Sequence, residues 1–250
     1  MAKSKNDTKV GRKHNDLGKK YEVLTEEALC DPAVHKRYNN GEKPKDHPEA
    51  AAHDLFRRKG IKKVFKAENV LVPTRDNGSQ AKTDRCVLVN DVHYIKVSVK
   101  QSGSSQVAAA EISVDTINKE AFGGKMKEDY LQCMLMFQEV GNQTLLASSG
   151  KIKSFKEDLK EDYDFRGRLL RYVLSGSSSE NSDDIRVADY IVEYAVDANG
   201  TAKSKSVKTV AEKLDLIIGK GTFGTGLSWT YATGTKGEKI QFKVPCAKAA

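Results

Sequence analysis

The chain has 250 residues, 38% hydrophobic and 30% charged, enough to bury a conventional core without metal or disulfide staples. No apolar run reaches the roughly 18 residues a membrane span needs, and Met1-Ala2-Lys3-Ser4-Lys5 leads into no apolar stretch, so a membrane protein and a secretory signal are both excluded and a cytoplasmic location is expected. The net charge of +8 is uneven: residues 1–66 hold 17 basic and 10 acidic residues, a net +7, while the rest of the chain carries +1. Such asymmetry points to a polyanionic partner, most simply nucleic acid.

Residues 1–14 are polar, basic and aperiodic, and read as a mobile arm ahead of a single domain over 15–250. Asp16 caps an expected helix to about Leu29, in which Leu17, Tyr21, Leu24 and Ala28 form one apolar stripe. Residues 31–46, with Pro, Gly and Asn, read as a loop. Pro48-Glu49 opens a helix that Gly60 ends, Ile61–Val72 suggests a broken strand, and Thr74–Gln80 a turn. The clearest β signal follows. Asp84–Val89 and His93–Lys100 flank Asn90-Asp91 and read as a hairpin. Alternation puts Ile95, Val97 and Val99 on one face of its second strand and Lys96, Ser98 and Lys100 on the other. Helical patterns run over about 106–119, 126–139 and 154–174, and Ser175–Asp184 is a flexible loop. Val187–Val196 is a strand, 206–218 fits helix or strand equally, and Gly219–Gly226 is a Gly-rich turn. Leu227–Thr233 and Lys239–Val244 close the chain as a hairpin, with Trp229, Tyr231 and Phe242 as core or cross-strand residues. Strands mixed with helices in both halves predict an α/β (α+β) fold. Cys30, Cys86, Cys133 and Cys246 lie far apart, without a C-x-x-C pair, which argues for free thiols and against a zinc site.

Metal-assisted phosphodiester hydrolysis needs a carboxylate to hold the ion, further oxygen ligands, and a lysine that orients water and offsets charge on the phosphate. Mg²⁺ keeps several waters, so one or two protein carboxylates suffice. Asp84 at the start of one hairpin strand and Ser98-Val99-Lys100 at the end of the next are placed to converge, and Glu22 on the first helix offers a second acid.

At these residues the sequence resembles the PD-(D/E)XK nuclease superfamily, the fold of many type II restriction endonucleases and archaeal Holliday-junction resolvases. Glu22, Thr83-Asp84 and Ser98-Val99-Lys100 match the family's order and rough spacing. Thr83 stands in place of its proline and Ser98 in place of its acid. The resemblance implies a mixed central sheet flanked by helices, with Asp84, Lys100, Glu22 and Ser98 as catalytic residues. It also implies metal ligation by Asp84, the Val99 carbonyl and Glu22, with Glu111 and Asp115 as alternative sources of the acid missing at Ser98. Gln101, Ser102, Ser104, Ser105 and Gln106 follow the lysine directly and are candidate DNA contacts, because Gly103 permits close approach and hydroxyls and amides can bond phosphates or base edges.

The implied function is a Mg²⁺-dependent, sequence-specific double-stranded DNA endonuclease of prokaryotic restriction type. The long remainder after the motif would serve as C-terminal recognition elaborations. A homodimer is expected on a palindromic site, together with a cognate DNA methyltransferase. Two alternatives stay open: a structure-selective nuclease of resolvase or repair type, and a basic DNA-binding protein without catalysis. In the second, Asp84 merely opens a strand and Lys100 is a surface lysine.

Overall fold

The computed structural model describes residues 19–75, 80–140, 150–180, 182–231 and 237–246, which group into two compact units. The first takes the described residues up to Ser105, then Asp184–Thr209 and Cys246. The second takes those of 106–183 and 210–245. The arm expected over 1–14, the Asp16 cap and residues 76–79 of the expected turn lie outside the described residues.

The first unit is built on a five-stranded mixed sheet of order β1-β2-β3-β5-β6, comprising Ala67–Val70, Arg85–Val89, His93–Ser102, Tyr190–Val196 and Ala202–Thr209. The expected hairpin forms. Asn90 (φ 52°) and Asp91 (φ 60°) adopt the left-handed conformation that mirror-image turns require, and Arg85–Val89 pairs antiparallel with Val97–His93. The strands β3 and β5 run parallel, Val97 beside Tyr190, and β6 returns antiparallel to β5. Every residue of β5 is buried, as suits a strand covered on both faces.

Three helices belong to this unit: α1 over 19–30, α2 Pro32–Asn39 and α3 His47–Arg58. Leu29, Leu55 and Phe56 pack with Val87, Ile95, Val97, Val99, Val192 and Tyr194 in one core. The face predicted for Ile95, Val97 and Val99 is therefore the one turned to the helices. The loop expected over 31–46 is corrected by α2. Asp31 accepts from the Ala33 N–H at 2.7 Å and Pro32 opens the first turn, a start signal that outweighs the nearby Asn and Gly. For α3, Asp46 caps the Glu49 N–H at 2.9 Å.

Glu49 is nearly buried and is held by Arg37 through two contacts and by the Lys45 N–H at 2.8 Å. Burial pushes its carboxyl upward, but the Lys45 N–H and the Arg37 guanidinium more than offset this and leave it below the usual glutamate range. A depressed acid stabilises above its unfolded pKa and loses that contribution as pH falls through the folded value. Glu49→Gln is therefore expected to lower stability by about 1.5–3 kcal/mol at pH 7. The gap from the parent should narrow toward pH 3, as read from thermal or urea unfolding at both pH values.

The second unit holds a three-stranded antiparallel sheet of order β4-β8-β7, comprising Gln106–Ile112, Ile240–Pro245 and Ser228–Thr230. With it are α4 Val114–Phe122, α5 Glu128–Val140, α6 Gly150–Glu161, α7 Tyr163–Ser175 and α8 Val210–Ile217. Two expectations are corrected and one left open is resolved. The helix expected over 106–119 is strand β4 followed by α4: the Val-Ala-Ala-Ala run has helical propensity, but pairing with β8 overrides it. The helix expected over 154–174 is two, because Asp162 interrupts it and caps Phe165 N–H at 2.9 Å. The ambiguous 206–218 is both, β6 ending at Thr209 and α8 starting at Val210.

The closing hairpin pairs Trp229 with Phe242, rings 5.6 Å apart and edge to face. Phe137 and Phe223 also meet Trp229, at 5.4 and 5.1 Å. The Gly-rich turn is closely packed. A Cβ on Gly221 would lie 2.4 Å from the Leu227 carbonyl oxygen, and Thr222 N–H donates to that same oxygen at 2.6 Å. None of Cys30, Cys86, Cys133 and Cys246 is joined in a disulfide.

Candidate active site

Strand β2 begins at Arg85, opposite Val97, while β3 continues to Ser102. The chain before β2 is drawn away, with the Lys82 and Thr83 N–H groups both donating to the Arg186 carbonyl at 3.2 and 3.3 Å. Val99 therefore projects its N–H past the end of β2. The Asp84 side chain takes the place of the departed strand: its Oδ2 accepts from Val99 N–H at 2.7 Å, from Ser98 Oγ at 3.1 Å and from Lys100 Nζ at 3.3 Å. An extended residue turns N–H and C=O to the same edge, so the Val99 carbonyl opens on the side where Asp84 sits.

Glu22 approaches from α1. Burial raises its carboxyl above the usual range, and the Asp84 charge raises it further. Arg85, Lys100 and Lys19 pull the other way. Its nearest ion partner is Arg85, at 3.4 Å, which also reaches Glu26 at 3.2 Å. The predicted set Asp84, Ser98, Val99 and Lys100 thus converges, with Glu22 in electrostatic range of Asp84 and Lys100. Lys96, on the same strand face, is held by Asp189 at 3.1 Å.

Of the candidate DNA contacts, Gln101 is half-buried and Ser102 buried. The Ser102 hydroxyl accepts from Ser104 N–H and donates to the Ser104 carbonyl, both at 3.0 Å. Ser104, Ser105 and Gln106 are exposed, and the Gln106 amide donates to Ser228 Oγ at 2.8 Å. The alternative acids belong to the second unit, where Glu111 accepts from Gln241 at 2.9 Å and Asp115 lies in the first turn of α4.

Three residues that the sequence reading did not single out stand at this site. Lys82, half-buried, has its ammonium pulled down to about 7, first by loss of water and then by the Lys100 charge. Its position two residues before Asp84 was the available sign. Arg85 holds Glu22. Glu193, buried on β5, is the direct neighbour of Lys100 in the parallel ladder.

Such a set can hold one divalent ion. Asp84 has a second carboxylate oxygen, Val99 a carbonyl on the same edge, and Glu22 a carboxyl crowded by Asp84, which a shared cation would relieve. Among the described residues no group of three or more His, Cys, Asp or Glu forms a metal cage. No helix among the described residues is long and apolar enough to cross a membrane.

The chain is 26% identical to the type II restriction enzyme MspI of Moraxella sp, across 94% of this chain and 92% of that one. It is 27% identical to the type II restriction enzyme BsuFI of Bacillus subtilis, across 69% of this chain and 42% of that protein. A crystal structure of restriction endonuclease MspI in complex with its cognate DNA superposes with a TM-score of 0.77 at 21% identity, covering 94% of this chain and 92% of that one, a likeness of fold. The family described as restriction endonuclease MspI matches residues 1–244, and the chain belongs to it.

Proposed function

We propose that the protein is a type II restriction endonuclease that hydrolyses double-stranded DNA at a specific sequence, with a divalent cation, Mg²⁺, held at Asp84. The observation that carries this reading is the convergence of Val99 N–H, Ser98 and Lys100 on the Asp84 carboxylate where β2 and β3 part. Membership of a restriction endonuclease family supports it.

Each residue has a part set by its chemistry. Asp84, the Val99 carbonyl and Glu22 would hold the cation, which supplies a more acidic water and charge neutralisation at the phosphate. Ser98 and the Val99 N–H fix the Asp84 rotamer. The Lys100 ammonium orients the attacking water and offsets negative charge as it builds on the phosphoryl oxygens. The exposed Ser104, Ser105 and Gln106 would contact DNA.

The test is digestion of a long DNA of known sequence with Mg²⁺. Discrete fragments sharing one end sequence are expected. Cutting confined to branched junctions would favour the resolvase reading, and retardation without cutting the non-catalytic one. Within this scheme Glu22→Gln is expected to slow cleavage by about 10–100-fold and to raise the Mg²⁺ needed for half-maximal rate. Glu111→Gln should leave both unchanged, and a titration of rate against Mg²⁺ reads the two variants side by side. If Glu111→Gln is the slow one, the missing acid comes from Glu111. Pairing of two copies would follow from the symmetry of a palindromic site, and a methyltransferase guarding the same site from the restriction-type function. Sedimentation of the protein–DNA complex measures the first.

A further inference from the structure

Lys100 is flanked on both sides by strands. On one side its partner is Asp84, the residue before β2, at 3.3 Å. On β5 the register sets Glu193 directly abreast of Lys100, and cross-strand neighbours point to one face of a sheet. Glu193 is buried at 2% exposure, and its carboxylate is held from the far side by β6. Ser206 Oγ donates to Glu193 Oε2 at 3.2 Å, and Lys208 Nζ lies 3.9 Å from the same oxygen and 2.7 Å from Ser206 Oγ. The result is a run of alternating charge from the residue before β2 across β3, β5 and β6: Asp84, Lys100, Glu193 and Lys208, the last two residues along β6 from Ser206, the register partner of Glu193. A charged carboxylate enclosed this fully persists only where cations and hydrogen bonds hold it, so its location beside Lys100 calls for a cause.

Crowding supplies one. Lys82 and Arg75 are close enough to act on one another electrostatically near Asp84, and Lys82 also feels Lys100. Lys100 would share the Asp84 carboxylate with Lys82 and, with a cation bound, with the metal, while Glu22, the other acid in its electrostatic range, is paired with Arg85.

From this arrangement we infer that Glu193 is a positioning residue for Lys100: its carboxylate supplies the second counter-charge that keeps the Lys100 ammonium aimed along the sheet at the water and phosphate beside Asp84. The inference rests on the proposed nuclease function and deepens it. Glu193 touches no reacting atom. It acts through Lys100, with the Ser206 hydroxyl fixing its own rotamer.

The test measures steady-state cleavage by Glu193→Gln, Lys208→Met, the double variant and Lys100→Met, with thermal unfolding of each. Glu193→Gln keeps the shape and removes the charge. It is expected to lower kcat by about 10–100-fold with KM for DNA unchanged, as misplacement of a reacting group does. Lys208→Met is expected to stay near the parental rate and the double variant to remain as slow as Glu193→Gln. Parental kcat in Glu193→Gln overturns the inference. So does recovery of rate in the double variant, which would make Glu193 no more than a partner for Lys208. Should Glu193→Gln fail to fold, Glu193→Asp decides: reduced kcat at constant KM supports the role, and parental kcat removes it. Lys100→Met separates the two readings. If the parent itself cuts no DNA, the proposed function falls; if Lys100→Met cleaves normally, the role of Lys100 falls and Glu193 has nothing to position. If Lys100→Met is inactive while Glu193→Gln is normal, only the role of Glu193 is lost.

Discussion

Asp84→Asn is expected to abolish DNA cleavage, with a loss on the order of 10³-fold or more, while specific DNA binding survives. A charged or hydrogen-bonding group aimed at the transition state is typically worth 10²–10³ in rate, and Asp84 serves two such groups at once. It is the acid to which Lys100 is aimed, at 3.3 Å, and the first proposed ligand of the cation. Asparagine is the better substitution because the carboxylate also has a structural duty. Alanine would strip the Val99 N–H and the Ser98 hydroxyl of their acceptor, a penalty of about 1–3 kcal/mol for a buried donor, whereas the asparagine oxygen can still accept. Binding in the absence of Mg²⁺ should be equal or tighter, since a negative charge facing the phosphates has gone. It should weaken steeply with salt in both proteins, because phosphate contacts release counterions. Gel retardation and fragment analysis on one DNA read both quantities. Cleavage at the parental rate would remove Asp84 from the mechanism.

Tyr194→Ala is expected to have the largest effect on stability, a loss of about 3–5 kcal/mol, the range for deleting a buried aromatic ring. That is a large share of the roughly 5–15 kcal/mol that holds a domain folded. Tyr194 is fully enclosed, stacks on Tyr21 of α1 with ring centroids 4.6 Å apart, and shares a hydrogen bond of 2.9 Å with Thr25 Oγ1. Burial pushes its phenol far up, the Thr25 bond opposing only in part, so the ring stays neutral at any working pH. Tyr194→Phe, which keeps the ring and loses only that bond, should lose about 0.5–1.5 kcal/mol. The contact also reaches the candidate site, because Tyr21 precedes Glu22. The alanine variant should therefore cleave more slowly even below its unfolding midpoint, and should need more Mg²⁺. Urea unfolding and cleavage at 25 °C measure the two effects. An alanine variant as stable as the phenylalanine one would show that α1 does not depend on this stack.

What could be read in advance was local. The hairpin follows from Asn90-Asp91 and two alternating runs. Alternation alone then places Ser98 and Lys100 on one face, two residues apart, with Asp84 at the neighbouring strand's start. Turn chemistry and a two-residue period act within about twenty residues, and the candidate site is concentrated in such a stretch. Capping signals acted locally too: Asp31-Pro32 starts α2, and Asp162 divides α6 from α7. There the sequence was sufficient, and the reading gave too much weight to Asn and Gly in one case and to apolar spacing in the other.

Other features were decided only when distant segments met. The run Val-Ala-Ala-Ala is a strand because β8, far along the chain, offers it a ladder, and backbone pairing over seven residues outweighs a modest helical preference. Arg85 became the partner of Glu22 and Glu26 only when α1 settled against the sheet. Glu193 stands beside Lys100 because parallel strands cannot be joined by a tight turn, and the chain between β3 and β5 is long. By itself the sequence determined which groups a strand and its turn would present. The long-range register of the sheet decided which charges surround them, because burial and pairing, unlike a turn, depend on residues that no local pattern connects.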